Sequence, residues 1–373
     1  MKIGVNTRFL LPKTHLEGIG KYTYEILFQL CKQHPEHTFY FFFDRPFDKI
    51  YIFSDNVVPV VLHPQARHPI LFTIWFEWSV RRKMKALDID VFLSFDGLSA
   101  LLGSYPEVLV VHDIVFAHEP SYLPWLNRWY LRLVMPRLLK KASHIVTVSQ
   151  FVKDDVCNQF AIDPAKVDVA YNALPTAFTH IITDSPSPAD FPYFIVPGAI
   201  IERKNTLNIL KGFEAYKQND RHGFKLVFAG RFMFKPSKEV SLLWQKMTEK
   251  GDLIHLNKPD DKLMVQWVQH ANALIYASLF EGFGIPILEG MACGVPVITS
   301  NITSMPEVAG DAALCINPHS SQEITRAMEL VVVPSNREEM IKRGYQQLKK
   351  FNWAASATVV YNSLVQACAK AKK

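Results

Sequence analysis

The chain has 373 residues, 49% of them hydrophobic, with 41 Lys and Arg against 35 Asp and Glu for a net charge of +6. That length accommodates two ordinary domains with substantial cores and excludes a disordered chain. The mild positive balance suits anionic ligands or an anionic membrane surface, but without a basic tail it argues against a nucleic-acid partner. Five scattered cysteines (Cys31, Cys157, Cys293, Cys315 and Cys368) contain no C-x-x-C pair, so neither a disulfide framework nor a zinc site is supported and a reducing cytoplasm fits. The start "MKIGVNTRFLLPK" has no signal-peptide hydrophobic stretch and no run of about 18 apolar residues occurs, so a cytoplasmic chain that does not span a membrane is expected.

Short apolar runs alternate with longer amphipathic ones: "KIGV", "IGKYTYEILFQLCKQ", "TFYFFF", "VVPVVL", "ILFTIWFEWSVRRKMKAL", "DVFLSF", "EVLVVHD", "LNRWYLRLVMPRLLKKA" and "SHIVTVS". This order predicts a parallel sheet covered by helices over residues 1–172. The stretch 173–192, "ALPTAFTHIITDSPSPADFP", holds four prolines and little periodicity and reads as an interdomain linker. A second series over 193–352 repeats the architecture from "YFIVPG" to "VPVITS", and 353–373 reads as a final helix ending in lysines. The fold class is therefore α/β, with two Rossmann-like, doubly wound domains. Ligands of such sheets bind outside the carboxyl ends of the strands, so residues just after strands are the candidates.

In the first domain, "HLEGIGKYTYE" places Gly18 and Gly20 at a helix N-terminus, a backbone anion site or simply a permissive loop. "VLVVHDIVF" ends a buried strand with His112 and Asp113, the histidine being catalytic, ligand-binding or a satisfied hydrogen-bonding residue, with Asp113 to orient it. Ser149, closing "VTVSQF", reads as a helix N-cap. In the second domain "GAIIERKN" sets Arg203, Lys204 and Asn205 before a helix. A planar guanidinium beside an ammonium suits a diphosphate, and a solvated surface pair is the alternative. Next, "SLFEGFGIPILEGMACGVPVITSN" frames a glycine loop with Glu281 and Glu289, and Pro286 and Gly294 fit the start and end of a short helix. The loop meets a helix N-terminus that favours an anion, and the two carboxylates suit hydroxyls of a ligand carrying sugars as well as phosphates. A capping glutamate and a solvated glutamate are the alternative.

No Ser/His/Asp nucleophile elbow, Walker lysine loop, H-E-x-x-H or zinc signature occurs, and "GVNTRF" lacks G-x-G-x-x-G, which disfavours a nicotinamide dehydrogenase. On the residues 68–87, "HPILFTIWFEWSVRRKMKAL", a helix could dip Trp75, Phe76 and Trp78 into a membrane interface while Arg81, Arg82, Lys83 and Lys85 face anionic lipid. Packing of Trp75 and Trp78 on the sheet is the alternative.

With these residues assembled, the chain resembles along nearly all its length the retaining glycosyltransferases of family 4 (GT4), which have the GT-B fold of two Rossmann-like domains facing a central cleft. The resemblance rests on the E-x7-E segment Glu281 to Glu289, the following "GMACGVPVITSNITSMPEVAGDAAL", "ERKN" and "GIGKYTYE". It is strongest toward bacterial mannosyltransferases of O-antigen and capsule assembly. The resemblance implies a nucleotide-sugar donor held by the second domain, with GDP-mannose favoured and a UDP-sugar as the alternative, and a glycan or lipid-linked glycan acceptor on the first. It implies that Arg203 and Lys204 bind the donor diphosphate, that Glu281 meets the sugar hydroxyls beside the backbone of Gly282, Phe283 and Gly284, and that Glu289 holds the ribose. By the same resemblance His112 lies close to the transferred sugar, Gly18 belongs to a loop closing over the phosphates, and the base packs near "HLNKPD" within reach of Asn257 or Lys258. No metal and no cofactor are expected, the cations and helix N-termini replacing a metal, since no D-x-D stands where a metal-bound diphosphate would need it. The final helix is expected to cross back onto the first domain, and peripheral contact with the inner membrane surface is an added expectation. A nucleotide-sugar epimerase of the same fold and a non-catalytic nucleotide-sugar binding protein are the competing readings.

Overall fold

The computed structural model describes residues 1–11, 16, 18–179 and 185–371. It divides into two compact units, Met1–Asn172 with Asn352–Lys373, and Ala173–Phe351.

The first unit is built on seven parallel strands, β1 (Lys2–Asn6), β2 (Thr38–Phe43), β3 (Val57–Val61), β4 (Val91–Ser94), β5 (Glu107–Val111), β6 (His144–Thr147) and β7 (Val167–Val169), in the order β3-β2-β1-β4-β5-β6-β7. Its helices are α1 (Gly18–Gln33), α2 (Pro69–Ile74), α3 (Arg81–Leu87), α4 (Val115–His118), α5 (Trp125–Lys141) and α6 (Gln150–Phe160). The second unit has six, β8 (Tyr193–Pro197), β9 (Lys225–Ala229), β10 (Leu253–Leu256), β11 (Ala273–Tyr276), β12 (Val297–Ser300) and β13 (Ala313–Ile316), in the order β10-β9-β8-β11-β12-β13. Its helices are α7 (Thr206–Lys217), α8 (Lys238–Glu249), α9 (Asp261–Gln269), α10 (Ile285–Ala292), α11 (Met305–Ala309), α12 (Ser321–Val331) and α13 (Pro334–Leu348). The last helix, α14 (Trp353–Ala371), belongs to the first unit, where Trp353 meets Tyr22 of α1 edge-on at 5.8 Å and Ser363 donates to Asp168 of β7 (3.0 Å).

Runs such as "VFLS" and "ALIY" are buried at every position, as strands sheltered on both faces must be. Each sheet reverses its strand order once, between β1 and β4 and between β8 and β11. Strands on either side of a reversal send their following loops apart, which opens a crevice at the carboxyl edge. In the first unit a buried ion pair spans that point: Arg8, after β1, meets Asp96, after β4, with side chains only 5% and 4% exposed. Asp96 also accepts from Asn6 (3.0 Å), Ser94 (2.9 Å) and the Leu98 N–H (3.1 Å), and the Arg8 guanidinium lies 4.6 Å from the Phe72 ring centre. In the second unit β8 and β9 end against each other so closely that a Cβ on Gly230 would stand 1.9 Å from the Gly198 carbonyl oxygen. Only glycine fits there.

The described residues of the stretch 173–192 pack on the second unit, which begins at Ala173: Ser185 bonds to His270 (3.1 Å) and Gln266 donates to the Pro186 carbonyl (3.1 Å). One expectation is corrected. Trp75 and Phe76 cannot enter a membrane interface, because both are buried in the core, with Trp75 donating to the Leu62 carbonyl (3.0 Å). Trp78 does not pack on the sheet either, being 66% exposed. The cause is a π-helical turn over Trp75–Val80 between α2 and α3. It turns Trp75, Phe76 and Val80 inward and leaves Trp78 on the opposite side.

Replacing Asp96 by alanine strands a buried guanidinium. A loss of about 3–5 kcal/mol is expected in urea unfolding, and a loss under 1 kcal/mol would show that Arg8 finds another partner.

Candidate active site

The site is assembled at the β8/β11 reversal. After β8 the chain passes Gly198 and enters a 3-10 turn, Glu202–Lys204, closed by Asn205 in the left-handed region (φ 62°). Buried Asn205 donates to the carbonyls of Ala277 (2.9 Å) and Pro318 (2.7 Å), fixing the turn to the ends of its neighbours, so its role is structural. Arg203 and Lys204 are thereby aimed at the loop after β11. There Arg203 donates to the Phe280 carbonyl (2.6 Å) and pairs with Glu281 Oε2 (2.8 Å), while Lys204 Nζ pairs with Glu281 Oε1 (2.7 Å). Two cations from one loop thus grip one carboxylate from the next, and the solvated-pair alternative for Arg203 and Lys204 falls away.

The loop Glu281–Gly284 is buried, and Ser304 Oγ donates to the carbonyls of Glu281 (2.8 Å) and Phe283 (2.9 Å). Phe283 packs edge-on against Phe351 at 5.5 Å. Gly284, at φ 107°, is the N-cap of α10 and offers no side-chain oxygen to the helix end, and Pro286 follows in the first turn. The helix end is closed by the main chain, with the Ile287 N–H donating to the Gly284 carbonyl (3.0 Å), and the positive end of the helix dipole faces the loop. Glu289 lies in the second turn of α10 rather than the first, half-buried, and its field reaches Lys204.

Electrostatics follow from burial. Burial by itself raises the Glu281 carboxyl, but Lys204 and Arg203 overcome it and hold the group at about 2. For Lys204 burial also dominates and pulls the ammonium below the ordinary lysine range, helped by Arg203 and opposed by Glu281. The asymmetry has a simple origin: the carboxylate has two cations and each cation shares one carboxylate.

Tyr276, at the end of β11, escaped the sequence reading. Its hydroxyl accepts from Lys204 Nζ, and the same ammonium lies 4.2 Å from its ring centre. Burial pushes its phenol well above the usual range, so it stays a neutral hydroxyl. The signal was a tyrosine at the end of an apolar strand, indistinguishable there from core. Arg8 and Asp96 in the first unit were missed likewise, although both follow strands.

Asn257 and Lys258 are exposed beyond the carboxyl end of β10, the edge strand, two strands from β8. In the first unit Gly18 begins α1 at φ 34°, and most of the preceding loop, residues 12–15 and 17, lies outside the described residues. His112 follows β5 and directs Nε2 at the Phe95 carbonyl oxygen (2.9 Å). Since a carbonyl only accepts, Nε2 carries the proton and Nδ1 of the neutral ring is an acceptor. Tyr22 stands edge-on at 5.0 Å, and burial lowers the histidine to about 4. Asp113 accepts from the Val115 N–H (3.1 Å), and Ser149 caps α6 by accepting from the Val152 N–H (3.1 Å).

Two outcomes follow. Tyr276→Phe keeps the ring but removes an acceptor from a buried ammonium, a loss of about 1–2 kcal/mol. Whatever activity the site supports should fall roughly tenfold and the melting temperature by a few degrees, and unchanged activity would make the bond incidental. For His112, the depressed pKa means that the unfolded chain binds a proton which the folded one refuses between about 6.5 and 4, so stability falls as pH drops through that window. Going from pH 7 to 5 this single group accounts for about 2 kcal/mol. Urea unfolding of His112→Gln should show an acid slope smaller by that amount, and equal slopes would place the proton elsewhere.

The chain matches two family models end to end: "Glycosyltransferase Family 4" over residues 16–178 and "Glycosyl transferases group 1" over residues 178–347. Among curated proteins it is 29% identical over 270 residues to the O-antigen chain mannosyltransferase B of Escherichia coli, covering 69% of each chain. It is 28% identical over 232 residues to the O-antigen chain mannosyltransferase RfbU of Salmonella typhimurium, covering 60% of each. Among solved structures WaaG, a glycosyltransferase involved in lipopolysaccharide biosynthesis, superposes with a TM-score of 0.73 at 13% identity, over 97% of this chain and 99% of that one. With two parallel sheets of this topology and two adjoining models that together span residues 16 to 347, the chain belongs to the GT-B glycosyltransferases that join a family 4 domain to a group 1 domain.

Proposed function

We propose that this glycosyltransferase moves mannose from GDP-mannose to a growing bacterial surface glycan or lipid-linked glycan at the cytoplasmic side of the membrane, retaining the anomeric configuration and using no metal. The observation that carries the reading is the interlocked Arg203, Lys204 and Glu281 beside the start of α10. The mannosyltransferase relatives give it the sugar.

Without donor, Glu281 pairs with both cations, one negative charge against two positive. A diphosphate brings more negative charge than one carboxylate, so Arg203 and Lys204 turn to the phosphates and Glu281 is released to a sugar hydroxyl. Breaking the anomeric bond then builds charge on the leaving diphosphate, where two cations and the α10 N-terminus meet it at fixed positions. These groups do the work a metal would do. In support, the D-x-D spacing Asp88 and Asp90 falls at the amino end of β4, where Asp90 accepts from the Lys2 N–H (2.7 Å) and Asp88 ends α3. Glu289 is assigned to the ribose, the backbone of Gly282, Phe283 and Gly284 to the sugar, Gly18 to the phosphates, Asn257 and Lys258 to the base, and the neutral His112 ring, through Nδ1, to the transferred sugar. A phosphate oxygen takes the acceptor's proton as the acceptor attacks the face the leaving group departs. The epimerase alternative is set aside, since its chemistry needs no acceptor and the curated relatives named above are transferases.

The test is a donor panel with a mannan-type acceptor lipid. GDP-mannose should be consumed, the product should show the donor's anomeric configuration by NMR, and a chelator should leave the rate unchanged. Arg203→Ala should lower turnover by two to three orders of magnitude, about 3 kcal/mol of lost transition-state stabilisation. Selective use of a UDP-sugar, a chelator-sensitive rate, or an epimerised sugar formed without acceptor would overturn the corresponding part.

A further inference from the structure

Helix α5, "WLNRWYLRLVMPRLLKK", contains five basic residues and no acidic one over 17 positions. Its inner face is core, with Tyr130, Val134, Met135, Leu138 and Leu139 buried and Lys141 turned to Glu107 (2.7 Å). Its outer face is not. Trp125, Trp129 and Leu133 are 70%, 59% and 42% exposed and recur every fourth residue, so they form one stripe. Exposed Arg132, Arg137 and Lys140 continue that side, with half-buried Arg128 between the tryptophans. Arg132 donates to the carbonyls of Phe116 (3.3 Å) and Ala117 (3.4 Å) and Arg137 to that of Leu133, partners that hold the side chains without cancelling their charge. The neighbouring α2, whose Phe72 lies 6.0 Å from Tyr130, adds Ile70 at 65% exposure. Glu77, the acid of the adjoining π turn, points away, accepting from the Leu102 N–H (3.3 Å) and pairing with Arg81 (3.6 Å).

Two exposed tryptophans are too much apolar surface for a helix face that meets only water. Whatever covers this stripe must be apolar and anionic within the same few ångströms, since tryptophan and arginine alternate along it. The boundary between headgroups and acyl chains of an anionic bilayer meets that description: indole rings settle at the headgroup level while guanidinium groups reach the phosphates. We propose that α5 is a membrane-docking helix that lies along an anionic bilayer surface through Trp125, Trp129 and Leu133, with Arg128, Arg132, Arg137 and Lys140 on lipid phosphates. The proposal deepens the reading of a lipid-linked acceptor and rests on it for its purpose. It moves the expected contact from the 68–87 segment to α5.

The test is sedimentation of the full chain with vesicles that carry no glycan lipid. The protein should sediment with phosphatidylglycerol vesicles at low salt, be released at high salt, and ignore pure phosphatidylcholine. Changing Arg132, Arg137 and Lys140 together to Gln should weaken partitioning about a hundredfold, at roughly fivefold for each charge removed. Trp125→Ser with Trp129→Ser should weaken it at least tenfold. Because these side chains are exposed, melting temperatures should hold in both variants, and a triple change of Arg82, Lys83 and Lys85 to Gln in α3 should bind like wild type. Absent sedimentation, equal binding to phosphatidylcholine, or indifference to the α5 changes would overturn the proposal, and a concentration-dependent dimer abolished by the tryptophan changes would assign the stripe to a second copy. The outcomes separate cleanly: lost vesicle binding with intact GDP-mannose turnover removes only the docking surface, and vesicle binding without turnover removes only the transferase reading.

Discussion

A carboxylate taken out of water must be compensated within its own hydrogen-bonding radius, and Glu281 is compensated twice. The geometry of the second unit around the β8/β11 reversal follows from that demand. Both cations must come from one short turn, so the turn is locked by Asn205 to neighbouring strand ends. The loop bearing the carboxylate must come close to them, so its backbone is stripped to glycine and its carbonyls are taken up by Ser304. A buried ion pair of this kind adds little net stability, because desolvation consumes most of the attraction. What it adds is position: each charged group is held at a fixed place at the carboxyl edge of the sheet.

The first unit solves a related problem differently. At the same topological place, the reversal of its sheet, Arg8 and Asp96 also form a buried pair, but there Asp96 is already saturated by Asn6, Ser94 and the Leu98 N–H, and Arg8 is walled in by aromatic rings. One pair is enclosed and joins the ends of two neighbouring strands. The other is a pair whose partners retain alternatives, since Lys204 touches Tyr276 and Arg203 a main-chain carbonyl. The same residue chemistry thus yields an enclosed rivet in one sheet and a carboxylate gripped by two cations in the other.

The sequence carried the architecture well where strands are short, apolar and central. Runs such as "TFYFFF" and "ALIY" could be read directly because both faces are buried, so hydrophobicity is continuous. The edge strands β7 and β13 are only partly buried, as are the edge strands β3 and β10, so continuous hydrophobicity is a weaker guide at the sheet margins. At the site, the loop positions after β8 and β11 brought Arg203, Lys204 and Glu281 to attention, while their mutual pairing depends on the strand order, which no local pattern encodes. Tyr276 looked like core because a strand-end tyrosine is apolar along most of its length. The 68–87 segment misled because its period was read as plain α-helix throughout.

That segment has a consequence for how the chain tolerates insertion and deletion. The π turn over Trp75–Val80 accommodates one residue more than an α-helical path would, and α3 downstream is phased by it so that Met84 sits over Gly4 of β1, a glycine whose missing side chain makes room for the sulfur. An α-helical path between the same ends would hold one residue fewer, so deleting a single residue from the turn leaves α3 in phase with Met84 still over Gly4, whereas a second deletion turns α3 by roughly 100° about its axis. Lys85 would then take the place of Met84, an ammonium against the middle of a buried strand. The extra residue of the turn is thus the one whose loss the downstream packing tolerates.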